Sequence, residues 1–425
     1  MVRYCSTRNT SVSNRFSEAV LKGLVSDGGL YVPERVPVVP DSVLKNDAVL
    51  AECGYEFMRP YVDGEIPDMM LKSLLVDALN FPIPLVEVEE NIFSLELFHG
   101  PTLAFKDIGA RFMGRVLPLF RQDKDEIVVL VATSGDTGGA VANGLLNVPG
   151  VRVIVLYPNG KVSPLQEKQF AALGGNVQAL AVDGVFDDCQ RLVKAAFDDA
   201  EMMEKYYLTT ANSINIARWL PQAIYYFYMY GQLGEEAVVS VPSGNLGNFT
   251  AGILAYKSGL PVKRFISSCN ANDTFPHYLY SGKYRAKPSI ETIANAMDVG
   301  DPSNFERYSY LLKNDNNHIH NIITGTSYSD REILETITNC FKRTGYLLDP
   351  HGACGYRALK DQLKKGEKGV FLGTAHPAKF AEIYTNIGMK QPKHEALEAL
   401  RHKPVRSRQV STELNDLKSF LSEQD

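Results

Sequence analysis

The chain has 425 residues, more than one ordinary core requires, and at roughly 150 residues per domain its length predicts two or three. Hydrophobic residues make up 45% and charged residues 22%, a balance that excludes both disorder and a collagen-like chain. With 44 Lys and Arg against 49 Asp and Glu, the net charge of -5 provides no single-sign field to recruit nucleic acid. The longest apolar stretches, such as IVVLVA at 127–132 and VRVIVL at 151–156, fall far short of the roughly 20 residues that span a bilayer. The opening MVRYCSTRNTSVSNRF is polar where a signal peptide needs an apolar run of about 7–15 residues. Cys5, Cys53, Cys189, Cys269, Cys340 and Cys354 are scattered with no C-x-x-C pair, which predicts buried thiols in a reducing, cytoplasmic setting and no metal site.

In chain order, the first 90 residues carry Pro33, Pro37, Pro40, Pro60, Pro67, Pro82 and Pro84 among helical stretches, and predict a separate, mostly helical module. From about residue 90 a simple unit recurs: a β-rich run, a Gly- or Ser-rich turn, then a helix. The predicted strands are Ile92–Leu97, Ile127–Ala132, Val151–Tyr157, Val177–Val182, Ala237–Val241, Arg264–Cys269 and Val370–Thr374. Between them lie helical patterns at Lys106–Leu119, Thr137–Asn147, Ser163–Leu173, Ile216–Leu233 and Phe249–Ser258. Such alternation gives parallel sheets with helices on both faces, and ligands bind beyond the carboxyl ends of the strands where the strand order reverses. Between Lys342 and Lys364 a helix, a break at Gly345–Pro350 and a second helix opening at Gly352 are predicted. After about residue 391 the chain is polar, and its basic stretch Lys393–Arg408 reads as a solvated face.

Three strand-to-helix turns carry unusual chemistry. T-S-G-D-T-G-G at 133–139 places Ser134, Gly135, Asp136 and Thr137 where a helix begins, so outward N–H groups could hold a small carboxylate or phosphate. Plain capping by Ser, Asp or Thr fits the same residues. V-P-S-G-N-L-G-N at 241–248 combines Gly244 and Gly247, which permit close backbone approach, with Ser243, Asn245 and Asn248; it reads as a phosphate cup. It is neither a Walker loop nor a dinucleotide-binding glycine pattern; a tight structural turn is the other reading. The segment F-H-G-P-T-L-A-F-K-D at 98–107 sets Lys106 behind apolar neighbours, where lost solvation lowers the amine's pKa. A lysine alone ordinarily reaches solvent. Beside a phosphate cup and a carboxylate turn, an amine that can condense with an aldehyde is what pyridoxal phosphate requires.

These stretches resemble the threonine synthases, a family of fold type II pyridoxal-phosphate enzymes. The resemblance covers nearly the whole chain, from S-T-R-N and F-S-E-A-V-L-K-G-L-V-S-D-G-G-L-Y-V-P near the start, through G-K-V-S-P-L-Q-E-K-Q and A-N-S-I-N-I-A-R, to N-A-M-D-V-G-D-P-S-N and G-T-A-H-P-A-K-F. It implies an α/β fold like that of the tryptophan synthase β subunit. Two open, twisted, mostly parallel sheets flanked by helices are expected, with an N-terminal mainly helical module. The implied division is a module at 1–90, a small cofactor- and substrate-binding subdomain at 91–210 and a large α/β domain at 211–425. The implied reaction converts O-phospho-L-homoserine and water to L-threonine and phosphate.

By position, the resemblance makes Lys106 the residue that joins the cofactor and then shuttles protons. It assigns the cofactor phosphate to Ser243, Gly244, Asn245, Leu246, Gly247 and Asn248, and the pyridine nitrogen to Thr374 as a neutral hydroxyl. For Thr374 the residues alone read equally as a helix cap before Pro377. Many relatives carry Asp at the position of Asn248. Ser134, Gly135, Asp136 and Thr137 match the turn that grips the substrate carboxylate. Many fold type II relatives carry Asn where Asp136 stands. A second anion site for the substrate phosphate falls on Asn212, Ser213 and Arg218, whose planar guanidinium matches phosphate, with Lys161 a weaker candidate.

His99, His351 and His376 are expected to be structural, and the run Tyr225, Tyr226, Phe227, Tyr228, Tyr230 to be helix core. A phospho-lyase or dehydratase acting on a related amino acid is the alternative activity. A non-catalytic ligand-binding protein is the alternative class, one that Lys106 argues against. The resemblance implies a monomer or weak homodimer, with a small-molecule substrate and no nucleic-acid or membrane partner.

Overall fold

Val- and Ile-rich runs buried on both faces build two sheets. The computed structural model describes residues 1–45, 49–121, 126–313 and 318–423. In chain order the strands are β1 (Tyr4–Ser6), β2 (Tyr31–Pro33), β3 (Leu85–Glu89), β4 (Ile92–Glu96), β5 (Ile127–Ala132), β6 (Val151–Pro158) and β7 (Val177–Val182). They continue with β8 (Tyr207–Thr210), β9 (Val238–Pro242), β10 (Arg264–Cys269), β11 (Ile323–Ser327), β12 (Gly369–Gly373) and β13 (Ser407–Val410). One sheet has the order β13-β7-β6-β5-β8, every pair parallel. The other has the order β11-β10-β9-β12-β4-β3, parallel except for the antiparallel edge pair β3–β4. Every residue of β5 and β6 is buried, as strands covered on both faces must be. The N-terminal part is mainly helical, with helices at Phe16–Lys22, Leu50–Val62 and Asp68–Ala78 and the small antiparallel pair β1–β2.

Strand order fixes where a ligand can sit. In the five-stranded sheet the chain runs outward from β5 to β6 and β7, whereas β8 lies on the other flank of β5. In the six-stranded sheet it runs from β9 to β10 and β11, whereas β12 lies on the other flank of β9. Each sheet therefore has a switch point, and the carboxyl ends of β5, β8, β9 and β12 flank the two crevices. The segments that follow those ends begin at residues 133, 211, 243 and 374, and all four contain residues singled out in the sequence.

The structure departs from the sequence reading in several places, and β3, β8 and β11 are not among the predicted strands. Ile216–Leu233 is broken into helices Ile216–Trp219 and Ile224–Leu233 around a 3-10 turn at Leu220–Ala223, because Pro221 has no N–H to continue the ladder. Part of the polar tail is a strand: β13 pairs in parallel with β7, and only Val410 of its four residues is buried. The helix expected from Gly352 opens at Pro350, with the Asp349 carboxylate accepting from the N–H groups of His351 (2.9 Å) and Gly352 (3.1 Å). All six cysteines are buried and free. No described helix is long and apolar enough to cross a membrane.

Candidate active site

Lys106 is held by pairing between two segments. A bridge joins Ala104 to Ala375; Phe105 N–H donates to Thr374 O (2.9 Å), and His376 N–H donates to Leu103 O (3.0 Å). This ties the first residue of helix Lys106–Phe120 to the segment leaving β12, so Lys106 and Thr374 line the same pocket. The helix stays anchored because Asp107 accepts from Thr102 N–H (2.9 Å) and Thr102 Oγ1 (2.5 Å). Lys106 is half-buried, its remaining surface facing the cavity. Burial pushes its pKa down to about 8; Asp136 opposes that shift, while Lys379 and Arg218 add to it. Thr374 caps nothing: the following 3-10 turn is capped by His376, whose Nδ1 accepts from Ala378 N–H (3.1 Å).

The cup at 243–248 leaves backbone donors unused. Its helix opens with Thr250 N–H donating to Leu246 O (2.9 Å), so the amides just before that bond lie outside the helical ladder. Leu246 has φ 58°, which turns the chain sharply ahead of them. At Gly244 a Cβ would lie 2.7 Å from Met297 Cα, so only glycine lets the two backbones approach this closely. Ser243 lines the pocket, yet its donors serve the cup floor: N–H to Ser268 O and Oγ to Val241 O, each 2.8 Å. Asn245 is likewise engaged, accepting from Ser303 N–H (2.6 Å) and donating to Ser213 Oγ (3.1 Å). Asn248 differs. Its Oδ1 accepts from Tyr225 (2.5 Å) and Tyr226 (2.8 Å), while its Nδ2 is buried with no partner. A buried orphan donor beside free helix-start amides fits a phosphate group.

At the end of β5, Gly135 adopts φ 142°, a value that L side chains rarely reach. Thr133 Oγ1 accepts from the N–H groups of Gly135 (2.9 Å) and Gly138 (2.8 Å), which shapes the turn and uses the Gly135 amide. Asp136 is buried and accepts from Gln166 Nε2 (2.9 Å) and Lys379 Nζ (2.7 Å). Burial opposes its ionisation, yet the ammonium groups of Lys379 and Lys106 hold it well below the usual carboxylate range. At the end of β8, Asn212 spends both ends of its side chain on Ala132, accepting from its N–H (3.1 Å) and donating to its O (2.8 Å). Ser213 Oγ accepts from Asn245 and Asn304, each at 3.1 Å. Arg218 is 2% exposed; one nitrogen donates to Ala211 O, and its Nε is buried without a partner. Burial pushes Arg218 down to about 10, with Asp107 opposing. An uncommitted guanidinium nitrogen at the pocket wall suits an anionic ligand.

One pocket thus gathers Lys106, Ser134, Asp136, Thr137, Asn212, Ser213, Arg218, the whole cup 243–248 and Thr374; Gly135 shapes the turn from just outside the lining. Lys161 is exposed and lies away from the lining. A larger cavity of about 1050 Å³ shares Ala132, Gln190, Asn212 and Asn245 with the pocket and reaches Asp27 and Tyr31 of the N-terminal part. Several residues here escaped the sequence reading. Lys379 lies within the quoted G-T-A-H-P-A-K-F and Gln166 within G-K-V-S-P-L-Q-E-K-Q, but only the fold sets both against Asp136. Tyr225 and Tyr226 are core residues that also orient Asn248. Arg307, fully buried, donates to Ser213 O (2.8 Å) and Asn304 Oδ1 (2.8 Å) from beneath the cup.

Residues 77–374 match the family described as pyridoxal-phosphate dependent enzyme. Residues 3–79 match threonine synthase N terminus, and residues 352–421 match threonine synthase, C-terminal. The chain is 46% identical over 411 residues to threonine synthase of Haemophilus influenzae, covering 96% of each. Among solved structures it is similar to threonine synthase from Escherichia coli, with TM-score 0.94, 41% identity and 100% of both chains covered. It is similar also to PLP-bound threonine synthase from Brucella melitensis, with TM-score 0.91, 32% identity and coverage of 100% of this chain and 99% of that one.

Proposed function

The chain belongs to the threonine synthase family and is a pyridoxal-phosphate-dependent lyase with threonine synthase activity; from that premise we propose the substrate and the residue roles. The substrate is O-phospho-L-homoserine, which with water yields L-threonine and inorganic phosphate. One arrangement carries this reading: two anion-receiving turns, one at the end of β5 and one at the end of β8, open on the same pocket as a buried-amine lysine and a separate phosphate cup. A substrate bearing both a carboxylate and a phosphate uses all of them.

When bound, pyridoxal phosphate supplies an electron sink that lets protons leave carbon. Lys106 Nζ would hold it covalently, the amides of 244–247 with Asn248 Nδ2 would receive its phosphate, and Thr374 would meet the ring nitrogen with a neutral hydroxyl. Ser243 and Asn245 act in this cup as its braces. Ser134 and Thr137, with the turn shaped by Gly135 and Asp136, would take the substrate carboxylate. Ser213 and Arg218 would take its phosphate, with Asn212 fixing their segment to β5. An amine with a pKa of about 8 is divided between base and acid near neutral pH, so Lys106 Nζ can remove a proton from substrate carbon and return it.

The cytoplasm as location, a monomer or weak homodimer as assembly, and the division at 1–90, 91–210 and 211–425 belong to the same proposal. Sheet pairing crosses those bounds, since β4 joins the six-stranded sheet and β13 the five-stranded one. Limited proteolysis would show which segments separate as units. The test of function is phosphate release from O-phospho-L-homoserine with the amino-acid product identified. Threonine is expected; phosphate released with 2-oxobutyrate would instead assign a phospho-lyase and remove this reading.

A further inference from the structure

Two buried charges meet across the crevice between the sheets. Asp136 follows β5 of the five-stranded sheet, and Lys379 sits in the 3-10 turn Pro377–Phe380 that follows β12 of the six-stranded sheet. Their side chains are 4% and 1% exposed, and Lys379 Nζ lies 2.7 Å from Asp136 Oδ1. The same ammonium donates to Thr102 O (3.0 Å), a carbonyl that also accepts from Gln169 Nε2 (3.0 Å). Thr102 in turn holds Asp107, the residue after Lys106. Lys379 therefore touches both the proposed carboxylate turn and the loop that leads into Lys106.

An aspartate in a turn meant to receive a carboxylate is a contradiction unless its charge is cancelled, because like charges brought together out of water repel strongly. Gln166 hydrogen-bonds Asp136 but carries no charge. Lys106 gives up its positive charge whenever its nitrogen works as a base. Lys379 Nζ lies 2.7 Å from the Asp136 carboxylate and is not asked to take part in proton transfer. We propose that Lys379 is a positioning residue for substrate binding: it neutralises Asp136, so that the turn meets the substrate carboxylate with donors and no net negative charge. This rests on the proposed role of residues 134–137 and extends it to a residue outside the pocket lining.

The experiment compares steady-state kinetics of cofactor-loaded K379M, D136N and the double variant D136N/K379M at pH 8, where an unpaired carboxylate is ionised. K379M is expected to raise KM for O-phospho-L-homoserine at least about ten-fold, with a smaller change in kcat. Removing the opposing charge as well is expected to bring KM of D136N/K379M back to within about three-fold of wild type, a rescue that a merely structural lysine would not give. D136N alone leaves the ammonium unopposed beside an anionic substrate, so its KM is expected at or below the wild-type value. An unchanged KM in K379M, or a double variant as impaired as K379M, overturns the proposal. If K379M does not fold, a ten-fold rise in the KM of D136N overturns it equally. Wild-type enzyme that fails to turn over O-phospho-L-homoserine would strike the proposed substrate instead, a result read before any variant is made.

Discussion

Replacing Gly244 by Ala tests whether the cup works by backbone approach. The added Cβ would lie 2.7 Å from Met297 Cα, 3.2 Å from Ala296 O and 3.3 Å from Met297 C, against 3.4 Å and beyond for ordinary contact. All three neighbours are backbone, so relief requires one chain to move by about 0.7 Å. Forcing an extra methyl into a packed site of this kind costs about 1–3 kcal/mol. If that cost falls on the bound state, cofactor affinity drops about 5- to 150-fold. Gly247 provides the control, since its added Cβ would meet Ser213 Cβ at 3.2 Å, a milder overlap than the 2.7 Å at Gly244. The assay is equilibrium titration of apoenzyme with pyridoxal phosphate, alongside circular dichroism to verify the fold. G244A should bind more weakly than G247A, and both more weakly than wild type. Wild-type affinity in a folded G244A would refute the claim that this backbone carries the phosphate.

The double variant Y225F/Y226F removes both hydroxyls that fix Asn248 Oδ1, so the amide can turn its donor away from the cup. At about 0.5–1.5 kcal/mol per hydrogen bond, cofactor affinity should fall several-fold or more, and unchanged affinity would dismiss the tyrosines as plain core. R218K keeps a charge but loses the planar fork; KM for the phosphorylated substrate should rise about 10- to 100-fold, read from initial rates. Burial sets the Lys106 pKa near 8, and the amine works as a base only when deprotonated, so kcat should fall as pH drops below about 8. Asp136 raises that pKa, so D136N should move the limb to lower pH, and a limb that moved upward would contradict the assigned coupling.

The strands that were legible in the sequence are those buried on both faces. Ile127–Ala132, Val177–Val182 and Arg264–Cys269 stand where the residue pattern put them, because continuous burial demands continuous apolar sequence. Those that escaped are edge or polar strands: Ser407–Val410 buries only Val410, and the Ile323–Ser327 strand at a sheet edge buries only Ile323. Their backbone bonds to a neighbour hold them, and no side-chain period records that. The candidate site divides in the same way. Gly135 and Gly244 are visible in the sequence as glycines, the first required by its φ of 142° and the second by the close approach of the Met297 backbone. Lys379, some 240 residues along the chain from Asp136, is visible only once β5 and β12 have been brought to one crevice. The engaged side chains of Ser243, Asn245 and Asn212 look in sequence like free ligand donors; their partners, Val241, Ser213 and Ala132, are known only from the folded chain.

The most direct measurement is borohydride reduction of the active, cofactor-loaded enzyme followed by peptide mass spectrometry. A pyridoxyl-phosphate adduct on the peptide carrying Lys106, and on no other lysine, is the predicted result. An adduct on Lys379, a buried lysine beside Asp136, or a fully active enzyme whose Lys106 stays unmodified, would contradict the account.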